Sequence, residues 1–273
     1  MTSCTSVHYS NVCTTHKAKE QEPPRLPLNH QQEDAALTDR ELLRRHLEAV
    51  WSLNLPPFDD EMQEIELPAE ATPPWALYLA RIADAEVAIW RAGVSPEQRA
   101  DLLDRARRAG ERWEPALAMR REVAHAAPII APERLAAAQR LARTLVAADA
   151  SMLEAFEAES AAYYLDPRVA PCIGVVVDGK LLSVAHSSRQ TPVACELGID
   201  TRPEARRRGY AAAATTLWTV LIQRRGLTPI YSAFAWNDAS LRLAQAVGYQ
   251  PRIAGVYGPV PAPPHPAGEG AGG

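Results

Sequence analysis

The chain has 273 residues, 47% of them hydrophobic and 23% charged, enough for one large domain or two small ones. Lys and Arg total 29 against 33 Asp and Glu, and the resulting net charge of -4 argues against wholesale nucleic-acid binding, for which a basic domain is usual. There is no run of 18 apolar residues such as a membrane-spanning helix needs, and four cysteines in a chain of this length do not make a disulfide framework, so a reduced, cytoplasmic protein with no membrane partner is expected.

Residues 1–36 are polar, lack the apolar core of a secretory signal, and read as a disordered leader. Cys4, His8, Cys13 and His16 fall there, but the two cysteines are nine residues apart and no apolar residues stand ready to pack around a metal, so no metal site is assigned. From Thr38 a capped helix is predicted, with Glu41 three residues on and Leu42, Leu43, His46, Leu47 and Val50 at helical spacing. Ala76–Ile82 and Glu86–Trp90 alternate and form a possible hairpin. Ser95 and Pro96 then open a helix lined by Leu102, Leu103 and Ala106. Residues 37–124 therefore read as a small α+β unit whose sequence does not disclose a role. Pro128–Ala131 separates it from two further helices, near Pro132–Ala147 and Ala150–Tyr164.

The character then changes. CIGVVVDGKLLSVAHSS reads as strand, turn, strand, because Asp178-Gly179 is a two-residue hairpin signal. VACELGID is a third strand, with Cys195, Leu197 and Ile199 on one face and Glu196, Gly198 and Asp200 on the other. TRPEARRRGYAAAATTLW follows: a loop at Pro203-Glu204, three arginines, a glycine, and a helix whose apolar residues Tyr210, Ala214, Leu217, Trp218 and Leu221 share a face. A fourth strand, TPIYSAFAW, precedes a helix capped by Asn237 and stopped by Gly248. RIAGVYGPV reads as one or two edge strands, and residues 261–273 as a disordered tail. The third and fourth strands are joined by a helix, a crossover that demands parallel pairing.

Arg206 to Arg208 taken alone read as a solvated basic turn. Set between a strand and a helix N-terminus, they suggest an anion site, because the helix's first N–H groups lack partners and its dipole is positive there. Gly209 lets the backbone approach a ligand closely. Arg206-Arg207-Arg208-Gly209-Tyr210-Ala211 resembles the Q/R-x-x-G-x-G/A motif of the GCN5-related N-acetyltransferase (GNAT) family. Asp200, Pro203, Glu204 and Arg206 match the pattern preceding it, and Asn237, Ser240, Gly248 and Tyr249 match a second family block. The resemblance covers about residues 125–260.

The resemblance implies an α+β fold with a mixed, mostly antiparallel sheet flanked by helices, here behind an N-terminal extension. It implies acetyl-CoA as co-substrate and a small-molecule or protein amine as acceptor. The backbone from Arg207 to Ala211 would hold the pyrophosphate, with Arg206 and Arg208 beside it. The pantetheine would pair with the strand at Ile199 and Thr201, and Asn237 and Ser240 would lie near the cofactor. The Ile199 N–H would stabilise the oxyanion, and Glu196 would be the base, with His186 as the alternative; a strand-edge charge paired with an arginine is the simpler reading of Glu196. The family often places a tyrosine where this chain has Ala244, which leaves Tyr231, Tyr249 or Tyr257, or no residue at all, to protonate the departing thiolate. That substitution also keeps open a non-catalytic acyl-CoA-binding module on the same fold.

Overall fold

The computed structural model describes residues 37–259 except Asp60, Asp84 and Trp113. The leader, the tail and the Cys4–His16 set lie outside the described residues. Among the described residues, seven α-helices and ten strands follow in the order α1 (Asp39–Trp51), β1 (Glu64–Glu66), β2 (Trp75–Ile82), β3 (Ala85–Trp90), α2 (Pro96–Glu111), β4 (Arg120–Ala126), α3 (Pro132–Gln139), β5 (Ala142–Thr144), α4 (Ala150–Phe156), α5 (Ala161–Tyr164), β6 (Ile173–Val177), β7 (Lys180–Gln190), β8 (Ala194–Thr201), α6 (Tyr210–Arg224), β9 (Thr228–Phe234), α7 (Asp238–Val247) and β10 (Gln250–Pro259). One sheet carries all ten strands, ordered β1-β3-β2-β10-β4-β9-β8-β7-β6-β5. Only β1/β3 and β8/β9 run parallel, so the sheet is mixed and mostly antiparallel.

Local chemistry explains most boundaries. Thr38 accepts from the Glu41 N–H and opens α1, and Ser95 with Gln98 forms a complete capping box on α2. Asp178 and Gly179 both take positive φ, 51° and 72°, as the tight turn between β6 and β7 requires. Asn237 accepts from the Ser240 N–H at the start of α7, and Gly248 ends that helix at φ 99°.

Four expectations change. The helix predicted to reach Ala147 stops at Gln139, because residues 142–144 pair with β6 instead; strand pairing overrides a favourable helical composition. The helix predicted over 150–164 is two short ones. Glu154 binds the N–H groups of Glu159 and Ala161, and Glu159 takes φ 62°, which breaks the run. The last strand is not an edge: β10 lies between β2 and β4 and binds both. The division expected after residue 124 falls inside β4, and through β10 the β2–β3 hairpin shares a sheet with the later strands.

The faces of the sheet sort the helices. Ala194 packs with α1, whereas its neighbour Cys195 packs with α6; Val184 packs with α4 and α5, whereas Ala185 packs with α6. Period-2 alternation thus sets α1, α4 and α5 on one face and α6 on the other. Trp218 on α6 is fully buried in that second layer, and its indole N–H donates to Ser187 Oγ at 3.2 Å. Trp218→Ala should destabilise the protein by ~3–5 kcal/mol, read as a lower urea midpoint at unchanged slope; a loss below ~1 kcal/mol would contradict this packing.

Candidate functional site

Beta strands β8 and β9 pair only at Ala194/Thr228, Cys195/Pro229 and Glu196/Ile230. Both then continue, β8 to Thr201 and β9 to Phe234, without pairing to each other. The parallel, adjacent arrangement anticipated from the crossover is present. The Arg202 N–H donates to the Leu182 carbonyl across the β7/β8 pair. In an antiparallel ladder, alternate residues address the same neighbour, so Asp200 and Gly198 also bond towards β7. Leu197, Ile199 and Thr201 therefore present their N–H and C=O groups to the side from which β9 has turned away.

A cavity of about 860 Å³ opens in this region. Ile199 and Thr201 line it from β8, Arg206, Arg207, Gly209, Tyr210 and Ala211 from the start of α6, and Asn237 and Ser240 from the start of α7. Of the residues singled out for cofactor binding, Arg208 alone does not line it; its side chain is exposed.

The α6 terminus has the features of an anion site. Gly209 takes φ 80° and Arg207 φ 62°, both left-handed, so the chain turns sharply into the helix. The first intrahelical bond is Ala213 N–H to Gly209 O. No side chain caps the N-terminus, which leaves the preceding N–H groups to a ligand. None of Arg206, Arg207 and Arg208 forms an ion pair among the described residues. Arg206 and Arg207, the open N–H groups and the positive helix end share one cavity, an arrangement that could take a pyrophosphate.

Glu196 does not line the cavity. It is buried on the α1 face, where Oε2 receives Arg189 at 2.7 Å and Ser188 at 3.2 Å, and Oε1 receives Ser232 at 2.7 Å. The ion pair with Arg189 is the simpler reading of this residue. His186 is buried opposite Gly198, which has no room for a side chain: a Cβ there would stand 2.3 Å from His186 Cε1. Its Nε2 lies 3.1 Å from Tyr163 Oη, and Tyr164 packs edge-on against the ring. Burial lowers its pKa to about 4, which makes it a weak base.

Three tyrosines are open candidates for protonating a leaving thiolate. Tyr249 is bonded to Thr219 within the core, and Tyr257 stacks on Tyr78. Tyr231 alone of the three bonds to a cavity-lining residue, with its hydroxyl 2.9 Å from Ser240 Oγ. Ala244, on α7, is fully buried. Sequence reasoning missed His46, Tyr78 and Glu122, a buried cluster on the α1 face. They come from three elements, and no local spacing marks them.

Residues 168–254 match the family model of the GNAT acetyltransferases. No curated protein matches the chain in sequence. Among solved structures, a Novosphingobium aromaticivorans protein described as a GNAT-family acetyltransferase is 23% identical, with 52% of this chain and 66% of that one aligned and a TM-score of 0.38. A GNAT-family acetyltransferase of Colwellia psychrerythraea is 15% identical, over 52% and 59% of the two chains, at a TM-score of 0.39. A GCN5-related N-acetyltransferase-like protein of Streptococcus suis is 16% identical, over 68% and 84%, at a TM-score of 0.39. The chain thus spans less than two thirds of the first two relatives. The resemblance carried by the arginine-glycine loop and the Asn237 block is borne out: both lie within the segment that matches the GNAT acetyltransferase model. No helix among the described residues is long and apolar enough to cross a membrane.

The depressed His186 pKa has a stability consequence. Between about pH 4 and the unfolded value of ~6.5, the unfolded chain binds a proton that the folded chain does not. Stability therefore rises with pH through that window, and His125, also lowered by burial, acts in the same direction. The His186 ring resonances should titrate near pH 4 by NMR; a midpoint near 6.5 would contradict the burial argument.

Proposed function

We propose that this chain transfers an acetyl group from acetyl-CoA to an amine. The observation that carries the reading is the single cavity that joins the unpaired edge of β8 to the uncapped start of α6. The open groups at Ile199 and Thr201 suit the amides of a pantetheine arm, laid alongside β8 like an added strand. The Arg207–Ala211 backbone suits the pyrophosphate, with Arg206 and Arg207 adding positive potential. Asn237 and Ser240 flank the same ligand.

The chemistry then asks little of the protein. The acceptor nitrogen attacks the thioester carbonyl, a C–N bond forms, the C–S bond breaks, and the sulfur leaves with its electron pair. The Ile199 N–H is assigned to donate to the developing oxyanion. Glu196 is assigned to receive the amine proton through water, since an amine of pKa near ~10 is almost wholly protonated at neutral pH. Tyr231 is assigned to return a proton to sulfur through Ser240, in place of the tyrosine that Ala244 replaces.

Calorimetry of acetyl-CoA binding tests the loop. Gly209→Ala meets no atom within 4 Å but pays the left-handed strain, whereas Gly209→Glu adds a negative charge where the pyrophosphate sits. The Glu variant should bind at least ~10-fold more weakly, about 1.4 kcal/mol, and the Ala variant should lose less than ~3-fold. Equal affinity in a folded Gly209→Glu protein would remove the assignment. The chemistry is tested by CoA release from a panel of amines. Glu196→Gln should lower turnover by roughly 10²-fold at neutral pH, recover partly at high pH, and leave acetyl-CoA affinity unchanged. Full activity across that pH range would clear Glu196 of the role. Tight acetyl-CoA binding with no CoA release from any amine would favour a binding module.

A further inference from the structure

A second cavity, of about 420 Å³, shares no lining residue with the larger one. Strand β4 supplies Val123 and His125, β10 supplies Gln250 and Pro251, and α7 supplies Leu241 and Gln245. Val123 and His125, two apart on one strand, face the same way. Helix α7 borders both cavities with different residues, Leu241 and Gln245 here, Ala239, Ser240 and Arg242 there.

His125 is the buried polar group of this cavity, at 4% exposure. Its Nδ1 lies 3.1 Å from the Tyr231 carbonyl oxygen. A carbonyl can only accept, so Nδ1 carries the proton. Burial lowers the pKa of the ring against the pull of the Tyr231 and Val123 carbonyls, so the imidazole is neutral at pH 7 and its Nε2 is a bare acceptor. No described residue donates to that nitrogen. It is not sealed off as Nδ1 of His46 and His186 are, and the space beside the ring is this cavity.

Two carboxamides complete the polar set. The Gln250 amide nitrogen donates to the Gly248 carbonyl at 3.3 Å, which leaves its oxygen as an acceptor. The Gln245 carboxamide has no hydrogen-bond partner among the described residues and can both donate and accept. Val123, Leu241 and Pro251 add apolar surface, and no Lys, Arg, Asp or Glu lines the cavity. A charged ligand would be desolvated there without a counter-charge. A polyol would press hydroxyls against aliphatic groups that cannot bond them. A flat ring with apolar faces and N–H groups on its edge matches both kinds of wall, and the volume suits one small ring system.

We propose that this cavity is a second ligand site, and that it takes a small uncharged heterocycle with N–H donors on its edge, a nucleobase or a ring of like chemistry. One edge N–H donates to His125 Nε2, and the glutamines take the remaining polar groups. The site stands apart from the acetyltransferase reading, because no residue is common to the two cavities.

The test is NMR of the full chain, labelled with nitrogen-15 in its histidine rings and titrated with adenine, uracil and glucose. At least one of the two bases should move the His125 Nε2 resonance saturably, with Nδ1 still protonated, and glucose should leave it in place. Calorimetry with that base should show Gln245→Ala binding about 5-fold more weakly, the worth of one hydrogen bond, and His125→Phe not binding. His125→Phe also strands the Tyr231 carbonyl, so Gln245→Ala, at an exposed position, decides the matter if that variant unfolds. Saturating acetyl-CoA should leave the affinity for the base unchanged. A His125 resonance that neither base moves, glucose binding as tightly as the base, or full affinity in Gln245→Ala would overturn the proposal. Displacement of the base by acetyl-CoA would assign the cavity to the cofactor and overturn it as well.

Discussion

The parting of β8 from β9 beyond Glu196 and Ile230 is the constraint on which the rest of the molecule depends. A strand interior normally satisfies every backbone group, and an unpaired N–H away from water is costly. Here one edge of β8 is left unsatisfied for the length of Leu197 to Thr201, in the middle of a ten-stranded sheet. The cost is tolerable because the neighbouring pairs are complete: β7 holds β8 from one side, and β4 holds β9 at Tyr231 to Phe234 from the other. Both walls of the gap are therefore rigid before any ligand arrives. α6 crosses from one strand to the other and delivers its uncapped N-terminus to the same gap.

The two faces of the sheet have different chemistry. On the α6 and α7 side, arginines and open amides await negative charge. On the α1 side stand Glu122 and Glu196, each held in place by hydrogen bonds from other elements. Such a division would suit a ligand that brings negative charge to the α6 and α7 side. Gly198 and Gly255 serve this plan by absence, since each leaves the space that His186 or Tyr78 fills.

Much of the second half was readable in the sequence because its signals are local. Asp178-Gly179, Gly209, Asn237 and Gly248 each mark a turn or cap whose backbone geometry few other residues adopt, and the strands between them alternate cleanly. What escaped reading depends on partners far along the chain. Residues 120–126 do not read as a strand, because Glu122 and His125 put polar groups on both faces; each is satisfied only by a residue on another element. Residues 142–144 sit in a composition that favours helix and become a strand only because β6 offers an edge. The central place of β10 follows from the β2–β3 hairpin docking on it, which no property of residues 250–259 announces. The His46–Glu122 contact joins residues 76 positions apart and leaves no spacing to find.

The central claim is that unpaired backbone groups, rather than side chains, form the cofactor site. Amide hydrogen exchange measured with and without acetyl-CoA tests it directly, because it reads individual N–H groups. The account predicts strong added protection at Ile199, Thr201 and the first turn of α6, Tyr210 to Ala212, with little change at Gly198 and Asp200, whose amides already face β7. Protection spread evenly over β8, or none at the α6 terminus while acetyl-CoA is bound, would contradict it.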